Sequence, residues 1–252
     1  MTYYYAEHEA AYAQIARRGL TQWDELFDSD RPNTYEEFPN RRFLERTLAR
    51  LDLPAPAEVD VLEYGCGTGP VACFLASRGF RVHAVDLIPQ AIALAREFAR
   101  QRGLDIRFDV QDMCALANIP AVERYDLVVD SFCLQSIVTD PDRADLFAAV
   151  RARLAPGGHY LISTAMYEPN RDYGDGFRYD EATGVCHEEV PDQEAGAQQV
   201  DGAEQIGGTW YRPHRRHLRP EALHAELTRA GFEVLSQESR GGEVVCTPAM
   251  RS

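Results

Sequence analysis

The run Val61-Leu-Glu63-Tyr-Gly65-Cys-Gly67-Thr-Gly69-Pro70 constrains this chain more than any other stretch. A short apolar segment, 59–63, runs straight into three glycines spaced two apart. An apolar stretch of helical character follows to 78, where Gly79 stops it. Glycines allow backbone turns that a Cβ forbids and let the chain come close to a ligand. A strand, a glycine turn and a helix in that order form half of a βαβ unit, and a parallel sheet must follow for the unit to be buried.

The rest of the chain supplies that sheet. Segments 80–86, 105–110, 125–130 and 159–164 read as strands. Segments 89–102 and 140–154 read as helices between them, the second opened by Asp140-Pro141 in the N-cap and N1 positions. Segments 232–239 and 243–247, joined through Gly241-Gly242, read as an antiparallel hairpin at the sheet edge after a helix over 220–230. The predicted fold class is α/β: a doubly wound, mostly parallel seven-stranded sheet with an antiparallel terminal hairpin.

Two helices precede the sheet. The first is expected over 6–27, with Tyr12, Ile15, Leu20, Trp23, Leu26 and Phe27 inward and Gly19 bending or splitting it. The second has Asn40 as its N-cap and Phe43, Leu44, Thr47, Leu48 and Leu51 inward. After strand five the alternation halts. Segment 165–208 is rich in glycine and acids, opposed only by Arg171 and Arg178, and reads as a lid, a binding loop or a disordered segment. The expected organisation is a helical cap (1–58), a ligand-binding core (59–164), an insertion over the substrate site (165–217), and a helix with a hairpin completing the core (218–252).

Charge and composition narrow the function. The 252 residues carry 26 basic and 40 acidic side chains, a net charge of −14. Such a surface repels phosphate backbones, so no nucleic-acid partner is expected. Apolar residues at 45% argue against disorder as the dominant state. No stretch is long and apolar enough to span a membrane, and the start lacks the basic and apolar regions of a secretory leader. Six cysteines without a C-x-x-C pair suit a reducing, cytoplasmic setting, with thiols packed as small apolar groups.

The glycine spacing also bears on the ligand. Dinucleotide sites use G-x-G-x-x-G, with a helix N-terminus facing a pyrophosphate. Here the spacing is G-x-G-x-G, and Pro70 removes an N–H from the helix start. An adenosine ligand without pyrophosphate fits better. Asp86, at the end of the second strand, is placed to accept both hydroxyls of a ribose.

Glu63-x-Gly65-Cys-Gly-Thr-Gly69 resembles the first motif of the class I S-adenosylmethionine (SAM) dependent methyltransferases, and later segments follow in that family's order. The resemblance implies SAM as cofactor. It implies Asp86 at the ribose, Asp112-Met113 at the adenine, Glu63 near the methionine portion, and Gly65, Gly67, Gly69, Leu87, Asp130 and Ser131 among the cofactor-binding residues. Many family members carry a histidine where Gln135 stands here. The reaction implied is methyl transfer to a nitrogen or oxygen of a small molecule. The alternatives are a SAM-cleaving or aminobutyryl-using enzyme on the same fold, or a non-catalytic SAM-binding partner subunit.

The acceptor site is expected from three regions. The first is the loop after strand four, with Asp130 and Gln135. The second is the N-terminal helices, with Tyr3, Tyr4, Tyr5 and Trp23, and the loop 35–38. The third is the insertion with the basic segment after it, contributing Tyr167, Tyr211 and Arg215. On an extended chain Tyr211, Pro213, Arg215 and His217 share one face, and Arg212, His214 and Arg216 the other. His214, His217 and Asp130 are the candidate acid–base groups. No metal site is expected, and a homodimer is left open.

Overall fold

In the computed structural model, which describes residues 4–26, 35–190 and 203–249, the first feature to emerge is the sheet predicted above. Its strands are β1 (Asp60–Tyr64), β2 (Arg81–Asp86), β3 (Arg107–Val110), β4 (Tyr125–Ser131), β5 (Leu154–Ser163), β10 (Phe232–Glu238) and β11 (Glu243–Pro248). They lie in the order β10-β11-β5-β4-β1-β2-β3. The β1–β2, β1–β4, β2–β3 and β4–β5 pairs are parallel, and β11 pairs antiparallel with both β5 and β10. Strand order reverses between β1 and β4, and a crevice opens there beyond the carboxyl ends of the strands.

Helices cover both faces. On one side α3 (Pro70–Ser77) and α4 (Pro89–Gln101) bury Val71, Leu75, Ile92 and Ala95 against Val61, Val82, Leu127 and Val129. On the other, α5 (Asp140–Arg153) and α6 (Pro220–Arg229) pack Leu146, Phe147, Leu223 and Leu227 against Leu62, Val128 and Tyr160. The alternation of buried side chains along β1 serves both layers, which is why the strand reads as an unbroken apolar run. Arg143, buried in α5, donates from Nε and Nη2 to the Glu226 carboxylate and from Nη1 to the carbonyls of Leu134 and Ile137, and so pins the loop after β4.

The cap bears out one sequence expectation, the break at Gly19, and corrects another, the role of Asn40. The first helix is split: α1 spans Tyr5–Arg18, ends at Gly19 in a left-handed conformation, and a 3-10 turn follows at Trp23–Leu26. Phe27 and Tyr3 lie outside the described residues. Asn40 does precede α2 (Arg41–Arg50), but its side chain caps nothing. It is buried, donates to Ser163 Oγ at 3.0 Å and accepts from Ser131 Oγ at 3.1 Å, tying the cap to the ends of β4 and β5. Likewise the cap of α5 is Thr139, whose Oγ1 accepts from the Asp142 N–H, so Asp140 is the first helical residue and not the cap.

Among its described residues the insertion is structured; 191–202 lie outside them. Strands β6 (Phe177–Asp180), β7 (Val185–Glu189), β8 (Glu204–Ile206) and β9 (Thr209–Arg216) form an antiparallel sheet in the order β6-β7-β9-β8. Short, polar strands with half-exposed faces lack the apolar alternation that would have announced them. A register shift between Cys186 and His187 places two residues of β7 opposite three of β9, Pro213 to Arg215. This bulge breaks the strict two-face alternation expected for 211–217, so His214 and Arg215 both reach Glu7 of α1.

Candidate active site

A cavity of about 310 Å³ lies at the strand-order reversal. Its floor is the turn after β1. Gly65 and Gly67 have φ of +60° and +55°, and a Cβ on either would strike a neighbour: Cys133 Sγ for Gly65, and the Tyr12 hydroxyl at 2.6 Å for Gly67. Only glycine allows this backbone and these approaches. The turn is held from below by Asp86, whose Oδ2 accepts the Gly67 N–H at 2.8 Å while Oδ1 accepts the Ile88 N–H at 2.9 Å. Thr68 ties the turn to the cap: its Oγ1 donates to the Thr21 carbonyl at 2.6 Å, and its own carbonyl accepts from the Tyr35 hydroxyl at 2.7 Å.

Three carboxyl groups line this end: Glu63, Asp86 and Asp112. Glu63 is buried. Burial and the nearby Asp86 and Asp130 push its carboxyl well above the ordinary range, against the opposing Ala72 N–H. Its Oε2 has no hydrogen-bond partner. Burial raises Asp86 to about 6, although the N–H groups of Ile88, Gly67 and Leu87 work against it. Asp112 accepts the Cys114 N–H at 2.9 Å, spanning Met113 at the start of the 3-10 turn Cys114–Leu116. Buried carboxyls crowded together favour a cationic occupant, which relieves their mutual repulsion.

The roof is the cap. Tyr4, the residue before α1, and His8 and Tyr12 within it recur every four residues and all line the cavity, with Trp23 packed against two of them: ring centroids lie 5.0 Å from His8 and 5.5 Å from Tyr12. At the far wall stand Ser131, Phe132, Cys133 and Gln135 from the segment after β4, and Arg215 from β9. Phe132 has φ of +61°, a strained conformation for a bulky residue, and its N–H is held by the Ser163 carbonyl at 2.7 Å. Gln135 accepts the Ala165 N–H at 2.9 Å, which joins this wall to the chain leaving β5.

Most sequence-predicted residues therefore converge. Glu63, Gly65, Gly67, Asp86, Leu87, Asp112, Met113, Ser131, Tyr4, Trp23, Gln135 and Arg215 line one cavity. Gly69 sits just behind it as the left-handed residue that starts α3. Others do not reach the cavity. Asp130 is buried beneath it, and its Oδ1 accepts the N–H groups of Cys133 and Leu134, which shapes the loop. His217 is stacked on Tyr173, and its Nδ1 is engaged by the Tyr173 hydroxyl (3.0 Å) and Arg171 (3.3 Å). Burial and the charges of Arg171 and Arg215 bring it down to about 4. His214 lies between Glu7 (3.6 Å) and Glu188 (3.8 Å), outside the lining. Tyr5 packs into the small α1–α4 cluster, Tyr167 stacks on Tyr179 under Arg219, and Tyr211 sits in the β9 ladder opposite Glu189 and Glu204. Tyr35 is a core residue rather than a lining one.

Sequence reasoning missed His8, Gln22 and Cys133, and took Tyr12 only as a packing residue. The signal for His8 was present: it lies midway between Tyr4 and Tyr12, at helical spacing from both. Among the described residues no cluster of three His, Cys, Asp or Glu could hold a metal ion. The six thiols are free, and burial raises all of them, so none is a ready thiolate at neutral pH.

An open parallel sheet with a glycine turn, a strand-two carboxylate and a carboxyl-lined cleft at the strand-order reversal defines a nucleoside-binding α/β protein. Comparison with known proteins makes the class specific. Residues 61–158 match the family model described as a methyltransferase domain. A 2-heptyl-1-hydroxyquinolin-4(1H)-one methyltransferase of Mycobacteroides abscessus is 33% identical over 117 residues, 45% of this chain and 50% of that protein. A S-adenosyl-L-methionine-dependent Diels-Alderase of a Neonectria species is 30% identical over 157 residues, 60% of this chain and 63% of that protein. The chain thus spans about half to three-fifths of the length of these curated relatives. A SAM-dependent methyltransferase structure from Clostridium acetobutylicum shares the fold with a TM-score of 0.62 and 18% identity, over 95% of this chain and 99% of that one. Residues 61–158 thus match a methyltransferase domain, and the chain shares its fold with a SAM-dependent methyltransferase.

The cavity suits that family's cofactor on its own terms. The orphaned Glu63 oxygen offers an acceptor to an ammonium group, Asp86 a carboxylate to ribose hydroxyls, and the glycine turn a cradle without side chains. Three carboxyl groups complement a cationic ligand.

Proposed function

We propose that this chain transfers a methyl group from SAM to a hydroxyl or amine of a small molecule. The observation that carries the reading is the convergence of the unpartnered Glu63 carboxyl, the glycine turn and Asp86 on one carboxyl-lined cavity roofed by aromatic rings. SAM, when bound, supplies a methyl group already activated by a sulfonium. What the protein must add is alignment of an acceptor lone pair and exclusion of water. Glu63, Asp86 and Asp112 hold the cofactor end. Tyr4, Tyr12 and Trp23 close the roof against solvent. Ser131, Gln135 and Arg215 face the space left for an acceptor. The narrow, roofed cavity suits a small molecule and excludes a large folded one.

A second reading has a specific observation behind it. One relative is named a Diels-Alderase that depends on SAM, so a family member can carry the cofactor and catalyse something other than methyl transfer. Incubation with SAM and a panel of hydroxy- and amino-aromatic acceptors separates the readings. Stoichiometric S-adenosylhomocysteine (SAH) with a methylated product supports the first. Acceptor rearrangement with SAM intact supports the second, and methylthioadenosine supports cleavage of the cofactor.

A further inference from the structure

We propose that His8 of α1 is the specificity-determining contact for the methyl acceptor, accepting through Nε2 a hydrogen bond from the O–H or N–H of a flat, uncharged molecule held among the aromatic rings of the roof. The inference rests on the methyltransferase reading above and adds to it the acceptor's chemistry and the residue that reads it.

Four observations lead there. His8 lines the same cavity as Glu63 and Asp86. Its Nε2 is shielded from water and has no hydrogen-bond partner. A buried ring nitrogen without a partner costs free energy that an occupant of the cavity recovers by donating to it. Third, the ring is neutral: burial and the charge of Arg215 bring it down to about 4, while Glu7 pulls the other way and His214 adds to Arg215. A neutral imidazole carries one lone pair, which at Nε2 is able to accept a hydrogen bond. Fourth, its surroundings are aromatic. His8 lies against Tyr4, at 5.7 Å between ring centroids, and Trp23, and one helical turn from Tyr12, whose hydroxyl rests over Gly67.

Charge is divided along the cavity. The carboxyl groups lie at the glycine-turn end, where they complement a cation. Among the described lining residues at the His8 end the one guanidinium, Arg215, is already held by both oxygens of Glu7. Those described lining residues leave no net charge there to recognise an ionic acceptor, so shape and one directed hydrogen bond do so. A site built to pair a donor rejects an analogue lacking it, because the unpaired nitrogen stays buried.

The test begins with SAH titrated into the full-length protein by calorimetry. If wild type takes no SAH, the methyltransferase reading falls, and His8 falls with it. With SAH bound, 1-naphthol and its methyl ether serve as probes of equal ring shape. Wild type should prefer the naphthol by about five- to tenfold, the worth of one net hydrogen bond. In His8→Phe the preference should vanish while SAH affinity stays within about twofold, and His8→Gln should keep part of it. A measurement on wild type alone guards against a variant that fails to fold: the His8 Nε2 resonance should move when 1-naphthol is added to the SAH complex and stay put with the ether. SAH binding with no naphthol preference, or with the preference intact in His8→Phe, or with an unmoved resonance, overturns the assignment and leaves the cofactor reading standing.

Discussion

Arg215 of β9 grips Glu7 of α1 through two hydrogen bonds, at 3.1 and 2.7 Å, across 208 residues of sequence. This pair is where the insertion sheet meets the N-terminal cap, and Arg215 itself lines the cavity. Burial alone would raise the Glu7 carboxyl, but the Arg215 hydrogen bonds, the Arg215 charge and His214 outweigh it and hold the group below its usual range. Roof and far wall are therefore joined by a partly buried ion pair.

Removing it should loosen the roof. Glu7→Gln is expected to cost about 1–3 kcal/mol, the range for a charge-assisted hydrogen bond left half-satisfied, and to speed SAH dissociation. A double-mutant cycle with Arg215→Met in urea denaturation should show a coupling of about 1 kcal/mol. Because the folded-state value of Glu7 is lowered, its contribution is present above the ordinary carboxylate range and is lost as pH falls through the lowered value. Additive single-mutant effects at pH 7 would show that the pair does not bind roof and far wall together.

A second prediction concerns Gly67. Its added Cβ would meet the Tyr12 hydroxyl at 2.6 Å but the next ring atom only at 3.5 Å. Gly67→Ala should destabilise strongly and abolish SAH binding. Tyr12→Phe removes the clashing oxygen, so in that background the same substitution should cost only the backbone term, about 1–2 kcal/mol for a left-handed non-glycine residue. Equal costs in both backgrounds would mean that sterics against Tyr12 do not govern this approach.

Asp86 should give ligand binding a pH dependence. Its carboxyl is raised to about 6, so it is ionised above that value and protonated below it. SAH affinity should therefore decline as pH is lowered through about 6, and Asp86→Asn should flatten the profile and weaken binding at pH 7.5. Asp86→Ala should leave no binding detectable by calorimetry. Unchanged affinity in Asp86→Ala would sink the ribose assignment.

Asp130 predicts a stability effect of opposite sign to that of Glu7. Burial raises it to about 7 from 3.8, opposed by the Leu134 and Cys133 N–H groups, the Tyr64 hydroxyl and Arg143. The folded state keeps this proton where the unfolded chain has lost it. The group's contribution is thus fully present below the unfolded value and is lost as pH rises toward about 7. Asn at this position can still accept both N–H groups. The urea midpoint of Asp130→Asn should gain on wild type as pH rises between those two values, and parallel pH profiles would contradict this.

Much of the site was legible because its residues are placed by local rules. Glu63, the three glycines and Asp86 sit at fixed offsets from strand ends, and strand ends are marked by apolar runs that stop at glycine or aspartate. Cap residues were less legible. Asn40 looked like an N-cap from its neighbours, yet its amide is spent on Ser163 and Ser131, side chains from distant strands. Asp140 looked like the cap of α5, but Thr139 took that role by a difference of one residue. The insertion looked irregular because its strands are short, polar and paired around a bulge.

The order of strands and helices, and the carboxyl-lined turn, followed from periodicity and from what glycine alone permits, both of which are properties of neighbouring residues. Which histidine shares the cavity did not. His214 and His217 carried the expected chemistry in a basic segment, but the β9 bulge and the Tyr173 stack turn them away, while His8, one turn from Tyr12, came inside. That choice depends on how α1 docks on α4 through Ile15, Ile88 and Ala91 and on the Arg215 bridge. Contacts between segments so far apart in the chain leave no spacing to read, because packing, not local backbone preference, sets them.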